Sequence, residues 1–373
     1  MSQQPLKVLR IFQGMDVGER HHLLRTRARG IEVSMVCNPE APFQEELQAA
    51  GIVIHHLRMH KRHDPDAVRQ IRQWVLAEQP EIVHAYTKTA LSNTIRAIQD
   101  LPPKLVAYRG IVGNLHWLNP SARKSFFHPR VDRITCVCEA IRQDLLHNRF
   151  LGWHLPEEKV VTVHKGHETD WWPRENIPAD FSEFGIPTDA PVIGCVAQMR
   201  KRKGIPVLIE AFEKLATPDA HLLLIGKVND KRIARRIARS PAANRIHLPG
   251  WRADAAALIG ALDVFVLPSL RREGLPRVVI EAMSQQVPAV VTDSGGSPEL
   301  IEDGISGRIV ASGDANALSK AIDELLGDPE RRRQMGIAAE ERIRTCFNPD
   351  ITVEKTLAVY SDLLGRDVTG GNA

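Results

Sequence analysis

The chain has 373 residues, more than one hydrophobic core usually organises, so its length predicts two domains. Its composition, 43% hydrophobic and 25% charged, is that of an ordinary globular protein, and no apolar run approaches the roughly 20 residues that a membrane span needs. The net charge of +4 is uneven, since residues 1–170 carry 23 Lys and Arg against 18 Asp and Glu.

The N-terminal segment leads almost directly into an apolar strand and lacks the cleavage site of a secretory signal, so we expect a cytoplasmic protein. The basic N-terminal half is either a solvated surface or a surface that attracts an anionic lipid or substrate. The cysteines are spaced for neither a disulfide framework nor a zinc site; they are Cys37, Cys136, Cys138, Cys195 and Cys346.

Short β-branched apolar runs alternate with helical patterns along the chain and predict a first βα array. Its strands lack in/out alternation, which is typical of parallel sheets covered on both faces. The predicted strands cover residues 7–12, 31–36, 52–57, 82–86, 104–109, 133–138 and 160–164.

A second array of the same kind follows a proline-rich stretch of weak periodicity, which we interpret as a linker. Its predicted strands cover residues 191–197, 221–226, 245–250, 263–268, 288–293 and 307–311. The predicted fold class is therefore α/β, with two doubly wound domains. The boundaries are 1–170 for the first domain, 171–190 for the linker, 191–349 for the second domain and 350–367 for a final helix.

The segment REGLPRVVIEA contains two glutamates eight residues apart, Glu273 and Glu281, after a predicted strand. Pro276 suits a first helical turn, and a helix start attracts anions, with Gly274 allowing close approach of the backbone. Eight helical residues span at most about 12 Å, the scale of a nucleotide diphosphate-sugar. The spacing alone equally allows one glutamate that caps the helix and another on its surface.

Two further loops follow strands of the second array. GCVAQMRKRKG places Arg200, Lys203 and their basic neighbours where cations can meet a diphosphate. TDSGGSPELI contains a Gly-Gly pair, a predicted cap at Ser297 and Pro298 at the first turn. Because open α/β sheets bind ligands beyond the carboxyl ends of their strands, these three loops predict one anion site.

The combination GxVA, KG, LPS, EGLP, EAM and PxVxTDxGGxPE resembles the C-terminal domain of the retaining glycosyltransferases of family 4. The two arrays and the final helical segment extend the resemblance over nearly the whole chain. It implies the GT-B fold, in which two Rossmann-like domains face a central cleft and the last helix crosses back to the N-terminal domain. It also implies a nucleotide diphosphate-sugar donor, which we expect to be a UDP-sugar.

The resemblance assigns roles to residues of the second domain. Glu273 would contact the donor sugar and Glu281 the ribose, while Arg200 and Lys203 would bind the diphosphate. The backbone of the EGLP loop would contact the donor; its other members are Gly274, Leu275 and Pro276.

The N-terminal domain departs further from the family pattern. Gly14 is the expected point of approach to the diphosphate, in a loop whose glycines are separated. His84 and Arg109 are predicted contacts of the donor or acceptor, with ordinary polar loop residues as the alternative. Arg109 stands where many members of the family have a histidine near the reacting sugar.

The family reaction is usually written without a protein nucleophile, and positive charges with helix N–H groups stabilise the departing diphosphate. We therefore expect neither a metal nor a resident cofactor. Asp64 and Asp66 mimic the Asp-x-Asp of metal-dependent transferases, but we interpret them as the cap and first turn of a helix over 65–77.

The acceptor is predicted to be a lipid-linked or anionic glycan, as in lipopolysaccharide core or surface polysaccharide synthesis. Basic residues lie beside Leu57, Phe126 and Phe127, which suits peripheral contact with an anionic membrane. A basic cleft wall for a phosphorylated acceptor explains them equally well.

Other classes of protein fit less well. The G-x-G-x-x-G motif of nicotinamide dehydrogenases does not follow any of the predicted strands. The sequence also lacks the known modules of nucleic-acid-binding proteins, so we expect no nucleic-acid partner. A sugar-nucleotide epimerase of the same two-domain architecture stays as the alternative enzyme.

Overall fold

The structure is a computed structural model that describes residues 5–172, 177, 180–228 and 230–368. It consists of two compact units. The first contains the residues up to Gly166 together with those from Pro349 onward, and the second extends from His167 to Asn348.

The described part of the first unit is built on a seven-stranded sheet in the order β3-β2-β1-β4-β5-β6-β7, in which all paired strands are parallel. The strands are β1 Lys7–Ile11, β2 Glu32–Cys37, β3 Val53–His56, β4 Ile82–Ala85, β5 Lys104–Arg109, β6 Arg133–Cys136 and β7 Val160–Thr162. The connecting helices are α1 Val17–Ala28, α2 Gln44–Ala49, α3 Pro65–Glu78, α4 Lys88–Ala97, α5 Pro120–Arg123 and α6 Glu139–His147.

The described part of the second unit contains a six-stranded parallel sheet in the order β10-β9-β8-β11-β12-β13. The strands are β8 Val192–Val196, β9 His221–Ile225, β10 Ile246–Gly250, β11 Val264–Leu267, β12 Ala289–Thr292 and β13 Gly307–Val310. The helices are α7 Ile205–Glu213, α8 Lys231–Ala238, α9 Ala255–Gly260, α10 Arg277–Ser284, α11 Ser297–Leu300, α12 Ala315–Leu326 and α13 Pro329–Cys346.

Helices cover both faces of the second sheet, as the continuous apolar runs of its strands predict. Successive residues of β11 show this arrangement, since Val264 and Val266 belong to one hydrophobic cluster and Phe265 and Leu267 to the other. Each residue of this strand is therefore buried, and the run carries no polar alternation.

The final helix, α14 Pro349–Leu364, belongs to the first unit and packs against α1. Val353, Leu357 and Tyr360 are buried in the same hydrophobic cluster as Val8 of β1. Arg25 Nη1 of α1 also donates to Asp350 Oδ2 of α14 at 2.7 Å. The chain thus returns to its first unit at its end, as the resemblance implied.

The predicted linker, residues 171–190, includes side chains that pack into the second unit. Phe181 and Ile186 are buried in one of its two hydrophobic clusters. Residues 173–176, 178 and 179 of this stretch lie outside the described part of the chain. No helix in the described residues combines the length and the apolar character needed to cross a membrane.

Candidate functional site

Glu273 occupies the loop between β11 and α10, at the carboxyl edge of the second sheet, and its side chain is buried. Its Oε1 accepts a hydrogen bond from Lys203 Nζ at 2.5 Å and another from Ser269 Oγ at 2.6 Å. The structure thus brings the predicted glutamate together with the predicted lysine, 70 residues away in sequence.

Neighbouring loops hold the Glu273 loop in place. Thr292 Oγ1 donates to Ser269 O at 2.5 Å, and Gly296 N donates to Gly274 O at 3.1 Å. Gly295 has φ +59°, and a Cβ there would lie 2.2 Å from the carbonyl oxygen of Glu273. The Gly-Gly pair therefore permits a close backbone approach that a larger residue would prevent.

The basic loop after β8 contains a single turn of 3₁₀ helix from Lys201 to Lys203. The turn ends at Gly204, whose φ is +69° and whose added Cβ would lie 1.8 Å from the carbonyl oxygen of Pro268. Leu270 N also donates to Arg202 O at 2.8 Å. These contacts place Lys203 beside Glu273, while Arg200 lies exposed at the start of the turn.

Glu281 lies in α10 and is only 5% exposed. Its Oε1 accepts from Arg277 Nε at 2.7 Å, and burial raises the pKa of the carboxyl although Arg277 opposes the shift. Pro276 is the N-cap of α10, and the helix begins at Arg277, one residue later than the sequence predicted. In this first turn Val279 N donates to Pro276 O at 3.1 Å, whereas the N–H groups of Arg277 and Val278 have no acceptor within the helix and are available to an anion.

Two serines near the site differ from the prediction made from the sequence. Ser269, which was given no role, positions the Glu273 carboxylate. Ser297 was predicted as a helix cap, but it is the first residue of α11, and Gly296 is the cap. The sequence Leu-Pro-Ser, which ends at Ser269, could have indicated this role. A serine that directly follows a buried parallel strand lies at the edge of the sheet where ligands bind.

The structure places the predicted site residues of the first unit in unlike surroundings. Gly14 is exposed, and a Cβ there would meet nothing within 4 Å. His84 is buried in β4, where Nδ1 lies 2.8 Å from Tyr360 Oη and Nε2 lies 3.3 Å from Thr135 Oγ1. Burial, reinforced by the charge of Arg10, lowers the pKa of His84 well below its ordinary value.

Arg109 is buried at the end of β5. Its guanidinium donates to the carbonyl of Gly113 and lies over the Phe126 ring, 5.2 Å from the centroid. Roles of Gly14, His84 and Arg109 in binding a donor or acceptor stay predictions.

Hydrophobic side chains suggested for membrane contact are in the interior of the first unit. Leu57, Phe126 and Phe127 are all buried, so they are not available to a membrane surface. The exposed large hydrophobic residues of this unit include Leu118, Leu151 and Trp153, which are 60%, 83% and 58% exposed.

An acidic pair at the start of α1 shares one lysine. Asp16 and Glu19 form a reciprocal capping box, and Lys165 Nζ lies 2.5 Å from Asp16 Oδ2 and 2.6 Å from Glu19 Oε1. Burial and the hydrogen bond with Asp16 raise the pKa of Glu19 to about 7. Burial also disfavours the ionised form of Asp16, but its hydrogen bonds with Glu19 and Lys165 together have the larger effect, so the pKa of Asp16 is lowered.

The raised pKa of Glu19 makes the stability of the protein depend on pH. Its pKa rises from 4.5 to about 7 on folding, so the stabilisation is complete below pH 4.5 and is lost as the pH rises through 7. Between pH 5 and pH 8, we expect the free energy of unfolding of the wild type to fall by roughly 2–3 kcal/mol relative to that of Glu19→Gln. Urea unfolding at both pH values measures the difference. The exposed Glu32→Gln is the control, and a Glu19→Gln profile parallel to the wild type would contradict the shift.

Comparisons with known proteins cover both units. A family model described as "Glycosyltransferase Family 4" matches residues 19–171, and one described as "Glycosyl transferases group 1" matches residues 176–342. A lipopolysaccharide core biosynthesis glycosyltransferase, LpsE from Rhizobium meliloti, is 26% identical over 95% of this chain and 99% of its own length.

Solved structures share the fold. A glycosyltransferase from Rickettsia africae superposes with a TM-score of 0.80 at 20% identity, covering 97% of this chain and 99% of the other. Anabaena HepE, solved in complex with UDP, superposes with a TM-score of 0.76 at 19% identity, covering 96% of this chain and all of HepE. At these identities the likeness concerns the fold alone.

Proposed function

The chain belongs to the GT-B glycosyltransferases of family 4, and on that premise we propose that it transfers a sugar from a nucleotide diphosphate-sugar to a lipid-linked or anionic glycan, with retention of anomeric configuration. The acceptor belongs to lipopolysaccharide core or surface polysaccharide synthesis, which the similarity to LpsE supports. The donor is a UDP-sugar, and the UDP complex of HepE supports this choice.

The observation that carries the proposal is the ion pair of the buried Glu273 with the partly buried Lys203 at the carboxyl edge of the second sheet. A carboxylate there accepts hydrogen bonds from sugar hydroxyls, and an ammonium has three donors, of which Glu273 occupies one. Lys203 therefore keeps donors for phosphate oxygens while it orients the glutamate.

Departure of the nucleoside diphosphate leaves negative charge on the phosphate oxygens. In the proposed reaction, Lys203, Arg200 and the first-turn N–H groups of α10 stabilise this charge. Glu273 holds the sugar, and the acceptor hydroxyl attacks from the face that the diphosphate vacates.

A bound metal has no assigned step in the proposed reaction, because Lys203 and Arg200 supply the positive charge. The Asp-x-Asp sequence has another use, since Asp64 caps α3 and accepts from Ala67 N at 3.4 Å. Asp66 forms an ion pair with Arg69 on the same helix.

Glu281→Ala should weaken binding of UDP by roughly 10- to 150-fold, because a carboxylate that accepts hydrogen bonds from ribose hydroxyls contributes about 1.5–3 kcal/mol. Isothermal titration calorimetry measures this change. The control is Glu210→Ala, which removes an exposed carboxylate from α7 of the same unit. Unchanged affinity in Glu281→Ala would refute the ribose assignment.

A panel of nucleotide sugars, incubated with the purified protein with and without a glycan acceptor, tests the proposed function. We expect acceptor-dependent release of the nucleoside diphosphate, a product with the anomeric configuration of the donor by NMR, and full activity in EDTA. Conversion of the donor to its epimer without an acceptor would identify an epimerase. Activity lost in EDTA and restored by Mn²⁺ or Mg²⁺ would refute metal independence, and inversion would refute retention.

A further inference from the structure

Three cationic side chains of the first unit come from chain segments at the carboxyl edge of its sheet. Lys88 is the first residue of α4, which follows β4, and Arg109 ends the neighbouring strand β5. These strands pair with Ala85 opposite Ala107, so the chain segments that carry Lys88 and Arg109 emerge side by side. Arg62 lies in the loop between β3 and α3.

Hydrogen bonds fix the loop that carries Arg62. Its Nη1 donates to Ser121 Oγ at 2.6 Å, and its carbonyl oxygen accepts from Arg96 Nη1 at 3.3 Å. The fully buried Asn93 of α4 donates to Lys61 O at 3.0 Å and accepts from Asp64 N at 3.0 Å. The loop is thereby tied to the helix that begins with Lys88.

Positive charge in this cluster is poorly neutralised. In the part of the chain that the structure describes, neither Lys88 nor Arg62 forms an ion pair with a carboxylate. Partial burial and the charges of Arg62 and Arg109 lower the pKa of Lys88. The charge of Asp144 attracts Arg109, but that carboxylate accepts its hydrogen bond from Gly113 N at 2.9 Å.

The position of Lys88 in α4 adds to the cost of this charge. The positive end of a helix dipole lies at the first turn, where a lysine is unfavourable and an anion is favourable. Thr87 caps the helix by accepting from Ala90 N at 3.1 Å, and the N–H groups of Lys88 and Thr89 have no acceptor within the helix. A bound anion would neutralise the cations and occupy these donors together.

We propose that Lys88, Arg62 and Arg109 form a binding site for a phosphate group in the first unit. Three cations carried by neighbouring chain segments, together with two N–H groups, suit a multiply charged anion with three terminal oxygens. The site rests on the proposed function, which supplies two phosphate sources: a phosphate carried by the acceptor and the diphosphate of the donor. An acceptor phosphate would make this site the recognition element for an anionic glycan.

Site-resolved labelling of amines tests the proposal in the intact protein. Acetic anhydride labels lysines, and mass spectrometry of the peptides measures the rate at each one. Glycerol 3-phosphate, at several times its Kd, should slow labelling of Lys88 by about fivefold, because an occupied site protects in proportion to its occupancy. Glycerol at the same ionic strength should not. Lys7 and Lys104, at the opposite ends of their strands, are internal controls and should be unaffected.

Two arginines of one loop provide matched variants. Arg62→Gln should remove most of the protection of Lys88, whereas Arg58→Gln, whose arginine already pairs with Glu40, should retain it. Both arginines are exposed, so neither change removes a core contact. Failure of both glycerol 3-phosphate and UDP to protect Lys88 in the wild type, or equal protection of Lys7 and Lys104, would overturn the proposal.

A second arm with saturating UDP distinguishes the sources of phosphate. If glycerol 3-phosphate still protects Lys88 from labelling when UDP is saturating, the site binds the acceptor phosphate. If only UDP protects Lys88, the same site binds the diphosphate of the donor. Calorimetry of UDP with the wild type and Glu281→Ala tests donor binding separately. A wild type that does not bind UDP would thus be a failure of the proposed function. Lys88 that neither ligand protects, in a wild type that does bind UDP, would be a failure of this site.

Discussion

Lys203→Met should lower the free energy of unfolding by about 3–5 kcal/mol, because it leaves the buried Glu273 carboxylate without its cation. Transfer should fall by about 10²–10³-fold, since the charge that stabilises the departing diphosphate is lost. Urea unfolding and kcat/KM with a fixed donor and acceptor measure the two effects.

A double variant separates stability from function at this pair. Lys203→Met with Glu273→Gln removes the uncompensated charge, so most of the lost stability should return. Activity should be no higher than in the single variant, because the double variant lacks both the cation and the sugar-binding carboxylate. An active double variant would contradict the proposed roles.

Lys214→Met is the matched control for the single variant. Lys214 pairs with Glu210 on the exposed surface of the same unit, and its loss should cost no more than about 1 kcal/mol. Equal destabilisation by Lys203→Met and Lys214→Met would show that burial of the Glu273 pair is unimportant.

Gly295→Ala should destabilise the protein by roughly 2–5 kcal/mol, since left-handed backbone costs about 1–2 kcal/mol and overpacking about 1–3 kcal/mol. The added Cβ would lie 2.2 Å from the carbonyl oxygen of Glu273 at φ +59°, so either loop must move. Displacement of Glu273 should also weaken donor binding. Urea unfolding and calorimetry with UDP measure both effects.

Gly304→Ala is the control for backbone strain without the clash. Gly304 has φ +79°, but a Cβ there meets nothing within 4 Å, so we expect a loss of only about 1–2 kcal/mol and unchanged UDP binding. If Gly295→Ala bound UDP as well as Gly304→Ala does, the close approach of the two loops would have no part in holding the donor.

The loops of the second unit could be located from the sequence because each follows an apolar strand and carries its own local signal. Gly274, Gly295 and the basic run were these local signals, and the parallel order of the strands puts the three loops at one edge of the sheet. Details of a single residue were less accurate: Pro276 and Gly296 are caps, so the helices begin one residue away from the predicted starts.

The first unit was predicted less well, although its strands were located. His84 follows the pattern of a loop-proximal polar residue, yet it lies in the interior with both ring nitrogens close to hydroxyl groups. One of those hydroxyls belongs to Tyr360, 276 residues away, so no local pattern could have revealed the contact. The same holds for Lys165, which joins Asp16 and Glu19 across 149 and 146 residues.

By itself, the sequence determined the α/β class, the two arrays and the positions of the three loops of the second unit, because hydrophobic periodicity, glycine and proline act within a few residues. Only the tertiary structure decided which polar groups are buried and with what partner. Arg10, within the apolar run of β1, is fully buried and donates to Thr26 of α1 at 2.9 Å, and Lys203 is held against Glu273. Such pairs depend on the packing of distant elements, which sets both the local dielectric and the distance between charges.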